Sequence, residues 1–75
     1  MTVARTFRFP GGSLILYSHL NGIGELVLYS KKKIDFKVFG DFEVLEKEFD
    51  NLVQSIEKEF IEIVREIMRY VILKM

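Results

Sequence analysis

A chain of 75 residues has room for one domain, and at that size folding removes only about 60% of the surface that the unfolded chain exposes. With no cysteine there is neither a disulfide nor a thiolate metal site to staple it, so association with another chain is the readiest source of further burial. A hydrophobic share of 49% beside 29% charged residues excludes disorder, and the zero net charge divides into six Lys/Arg against two acids over residues 1–40 and five against nine over 41–75.

Val3 to Phe9 alternates, with Val3, Phe7 and Phe9 on one side and Ala4, Thr6 and Arg8 on the other, the period of a half-buried strand. Pro10, Gly11 and Gly12 interrupt it. Ser13 to Leu20 fits two periods: Leu14, Leu16 and Leu20 alternate with Ile15, Tyr17 and His19, while Leu14, Tyr17 and Leu20 also match helical spacing. The mixture of β-branched and aromatic residues between Gly-rich turns favours a strand. Asn21-Gly22-Ile23-Gly24 supplies residues that tolerate positive φ. Glu25–Ser30 and Ile34–Phe39 then read as a hairpin turning at Lys31, Lys32 and Lys33.

Gly40-Asp41 ends the strands, with Asp41 as N-cap and Glu43 in the first helical turn. No Pro or Gly follows, so one helix of about nine turns, roughly 50 Å long at 1.5 Å per residue, is predicted. Its stripe is Leu45, Phe49, Leu52, Ile56, Phe60, Ile63, Ile67 and Val71, with the eleven-residue spacing that keeps a stripe nearly straight and disfavours a two-stranded heptad zipper. Beside the stripe stand Glu46, Asp50, Gln54 and Glu57 in the first half, but Ile61, Val64, Met68 and Ile72 in the second. Because a strand spans only about 17–20 Å, a small sheet leaves several hundred Å² of this helix uncovered. Ile61, Val64, Met68 and Ile72 are therefore the predicted partner interface.

The fold class that results is α+β, an antiparallel sheet of three to four strands packed on one long C-terminal helix. A single domain covers 1–75, with its sheet region in 1–40 and the helix in 41–75. No basic stretch precedes an apolar core at Met1, and Phe60–Met75 is broken by Glu62, Arg65, Glu66, Arg69 and Lys74, which reads as a cytoplasmic chain outside the membrane. Scarce Asn and Gln with abundant Lys, Glu and Ile point to a thermophilic source.

Catalytic chemistry has little to stand on. The one histidine, His19, lies in a segment that supplies no nearby acid to orient it, no zinc-ligand spacing occurs, and Gly11-Gly12 and Gly22-Ile23-Gly24 lack the Lys-Ser/Thr ending of a phosphate loop. The expectation is a non-enzyme without cofactor, metal or small-molecule substrate. Strand alternation gathers Arg8, Tyr17, His19, Tyr29, Lys33 and Lys37 on the face away from the core, with Lys31 and Lys32 at the adjacent turn. Cations beside aromatic rings suit phosphate attraction and base stacking, so Arg8, Tyr17, Tyr29, Lys31, Lys32, Lys33 and Lys37 are candidate nucleic-acid contacts; the competing reading is an amphipathic outer face that is merely solvated or is covered by a partner.

Three stretches, Arg5-Thr6-Phe7-Arg8-Phe9-Pro10, the hairpin Leu26 to Lys37 and the helix opening Leu45 to Ile56, resemble the small Pcc-type subunits of the KEOPS complex, which makes threonylcarbamoyl adenosine in tRNA. The resemblance covers about half of the chain. It implies an archaeal accessory subunit, a homodimer or heterodimer that docks by its helices on the catalytic subunit and helps hold tRNA. It also implies a helix after Phe9-Pro10, giving the alternative order strand-helix-strand-strand-helix. A self-assembling scaffold of other origin and a stand-alone nucleic-acid-binding protein are the remaining expectations.

Overall fold

The computed structural model describes residues 1–31 and 33–74, with side chains at all of these except 70 and 72–74. Four strands, β1 (Thr2–Phe9), β2 (Gly12–Ser18), β3 (Ile23–Ser30) and β4 (Lys33–Asp41), precede one helix, α1 (Phe42–Lys74). The strands form an antiparallel meander in the order β1-β2-β3-β4. Of the segment Ser13 to Leu20, which fits either period, residues 13–18 are therefore strand, and the helix implied after Phe9-Pro10 is not there. Glycine turns at both ends explain the outcome: Gly11 has φ 94° and Gly22 φ 73°, conformations that reverse the chain and that β-branched residues avoid.

The register sorts side chains into rows. Toward α1 run Phe7–Leu14–Leu28–Phe36 and Arg5–Leu16–Leu26–Val38; on the opposite face run Arg8–Ser13–Tyr29–Ile34, Thr6–Ile15–Val27–Lys37 and Val3–Tyr17–Glu25–Phe39. Leu14, Leu16, Leu26, Leu45 and Phe49 form the buried centre, edged by Phe7, Phe9, Leu28, Phe36, Phe42, Leu52 and Val53.

Three expectations from strict alternation change. A bulge between Val3 and Arg5 makes Val3 the partner of Tyr17, so it stands on the outer face, across from Phe7 and Phe9. A second irregularity pairs Leu28 with Phe36 but Tyr29 with Ile34, leaving Asp35 as the extra residue; Ile34 takes the outer position and Lys33 moves to the row of Ser30 on the helix side. Leu20, assigned to the apolar row of β2, sits in a 3-10 turn (Leu20–Gly22) and is 83% exposed.

The helix begins as the sequence predicts. Asp41 Oδ2 accepts a hydrogen bond from the Val44 N–H at 3.3 Å, the N-cap bond to the third helical residue. Gly24 admits this first turn to the sheet, because a Cβ there would lie 3.0 Å from Phe42 Cα. The helix then crosses toward β1, where Arg5 pairs with Asp50 at 2.8 Å and lies 4.7 Å from the Phe49 ring centre.

Candidate functional site

Two surfaces follow from this layout. The first is the helix beyond the sheet. Leu45 and Phe49 are buried and Leu52, Val53 and Ile56 are half-buried, but from residue 57 to 69 every side chain is exposed. Phe60, Ile61, Ile63, Val64, Ile67, Met68 and Val71 are each between 40 and 58% exposed. Ile61, Val64 and Met68 thus lie together on the free flank as the sequence predicts; the side chain of Ile72 is outside the described residues. The stripe residues Phe60, Ile63, Ile67 and Val71 join them, since the sheet ends before it reaches them. Where it ends, Phe7, Phe9 and Pro10 of the β1–β2 end face Ile56, Phe60 and Ile63 across a cleft of about 410 Å³.

The overall dimensions agree. The molecule measures 58 × 23 × 15 Å with a radius of gyration of 15.8 Å, against about 11 Å for a compact chain of this length. Its accessible surface is 6045 Å², where a compact monomer of 8.8 kDa exposes about 4,800 Å².

The second surface is the outer sheet face. Arg8, Tyr17, Tyr29 and Lys37 share it, Lys31 is exposed at the turn with φ 52°, Lys33 has moved to the other side, and Lys32 is outside the described residues. The face is tied together rather than open. Val27 is fully buried there between Ile15 and Lys37. The Tyr17 phenol is raised above its ordinary pKa of 10.0, first by the hydrogen bond between its hydroxyl and that of Tyr29, then by partial burial, the Tyr29 charge and the Glu25 carboxylate.

Below this pair stands an ion cluster that the sequence reading missed. His19 Nε2 is 2.7 Å from Glu25 Oε1, and Lys37 Nζ is 3.5 Å from Glu25 Oε2, while the Glu25 side chain is only 8% exposed. The histidine thus has an acid at hydrogen-bond distance, contrary to expectation. The signal lay in the turn length: with His19 N–H bonded to the Ile23 carbonyl at 2.8 Å, the chain reverses so that Tyr17 faces Glu25 and His19 lies on its diagonal. The Phe39 ring, 5.9 Å from that of His19, covers the group from β4. Among the described residues no buried side-chain nitrogen or oxygen lacks a partner, and no three His, Cys, Asp or Glu converge as metal ligands. The Glu25 cluster is therefore a satisfied polar group that ties the turn after β2 to β3 and β4, in which Lys37 is already engaged.

Among the described residues no helix is long and apolar enough to cross a membrane. In comparison with known proteins, the chain matches no family model, no curated sequence and no solved structure.

Proposed function

We propose that the chain is a non-catalytic assembly subunit that docks on a protein partner through the second half of α1. The observation that supports this reading is the uncovered apolar surface from Phe60 to Val71, which continues the core stripe past the end of the sheet and adds a second apolar flank. Contiguous apolar area beyond a few hundred Å² is rare on a monomer and marks protein contact. A Pcc-like accessory role in the tRNA-modifying complex is the specific form that the resemblance in Arg5–Pro10, Leu26–Lys37 and Leu45–Ile56 implies. Among the described candidate cations, direct contact with tRNA would fall to Arg8 and Lys31, which are exposed, since Lys33 stands on the helix side and Lys37 is held by Glu25.

The test compares two glutamates introduced on one helix flank. Met68→Glu, past the sheet, is expected to abolish capture of the partner on affinity purification from the source cells, a loss of at least tenfold if about 1.4 kcal/mol is removed. Gln54→Glu, beside the covered half, leaves capture unchanged. Equal capture by both variants would refute the docking role.

A further inference from the structure

We infer that the occupant of this face is a second copy of the chain, lying antiparallel along residues 57–74 about a two-fold axis; the inference rests on the assembly reading above and names its partner. The surface in excess of a compact monomer is roughly 1,250 Å², against about 800 Å² that each partner contributes to a stable protein pair. The face is also suited to itself. Residues 57–74 carry four acids and four bases, so two copies meet without net repulsion, whereas residues 41–56, with five acids and one base, would repel their like.

Direction follows from the sheet. It covers the same stripe over residues 42–56 that lies bare beyond, so a parallel pair with facing stripes would drive two sheets into one space. An antiparallel pair sets the sheets at opposite ends. Each helix then runs out where its partner's sheet stops, and its last turns come to the cleft between Phe9-Pro10 and Phe60. An overlap of 57–74 puts the axis near Arg65 and Glu66, facing Val64 with Ile67 and Phe60 with Val71 of the two copies.

The chain lacks cysteine, so introduced thiols report only on the chosen positions. In light scattering at micromolar concentration the protein is expected at twice 8.8 kDa. Under mild oxidation Ile67→Cys links to itself. Phe60→Cys does not, because its two copies stand roughly 17 Å apart along the axis at 1.5 Å per residue, yet it links to Val71→Cys when the two variants are mixed. Self-linking of Phe60→Cys as readily as Ile67→Cys would overturn the antiparallel arrangement. A monomeric mass would overturn the second copy, and the assembly reading would then stand or fall separately on whether Met68→Glu still loses its cellular partner.

Discussion

Glu25 shows how a carboxylate is kept in a sheet face with almost no exposure. Its two oxygens are met by the His19 ring at 2.7 Å and the Lys37 ammonium at 3.5 Å, the partners that a buried carboxylate requires. Tyr17 stands next in the same row and feels both the Glu25 charge and the Tyr29 hydroxyl. Because its pKa is raised in the folded protein, the unfolded chain loses this proton first as pH climbs. The stabilisation is complete below about pH 10 and is lost as pH rises through the folded value. Ultraviolet titration should find Tyr29→Phe bringing the Tyr17 transition down toward 10.0, and unfolding curves should lose part of their alkaline decline; an unchanged Tyr17 transition would mean that the two hydroxyls do not interact.

Among the elements, the close approach of α1 to β3 depends on one missing side chain. Gly24→Ala would place a methyl group 3.0 Å from the Phe42 backbone and 3.3 Å from Leu45 Cδ1, so the helix start must shift, and a loss of about 1–3 kcal/mol is expected in denaturant unfolding. Gly40→Ala meets Leu45 only at 3.7 Å or more, ordinary contact, and should cost markedly less. Equal losses would place the cost in backbone freedom rather than in packing. The elements themselves were readable. Alternation in Val3–Phe9, the hairpin at Lys31–Lys33 and the capped, Gly-free run after Asp41 each rest on local spacing, which sequence preserves. The bulges were not, because one inserted residue leaves hydrophobicity intact while reversing every side chain beyond it; Val3 and Lys33 changed faces for that reason. Nor was the His19–Glu25 contact, since it depends on the register that a five-residue reversal imposes.

At the scale of the whole molecule, half of the helix adds length without adding core. Its 33 residues set the 58 Å dimension, while among the described residues the buried centre draws only Leu45 and Phe49 from it. A fold with so small a centre gains stability from any association that covers the rest, and such stability rises with concentration. Tenfold dilution of a dimer weakens it by about 1.4 kcal/mol, which should lower Tm by several degrees in a domain of this size. Scanning calorimetry over a hundredfold range checks this, and Met68→Glu should leave Tm flat; a Tm independent of concentration in the unaltered protein would show the free helix stable alone.

The two bulges have one more consequence. Both fall in the outermost strands, with Ala4 the extra residue in β1 and Asp35 in β4. An incoming strand needs an unbroken ladder of N–H and C=O groups, and at each border that ladder is kinked, at one of them beside a charge. The meander is thereby guarded against lateral growth into fibrils, although Ile34, Val38 and Phe39 leave β4 rich in sticky side chains.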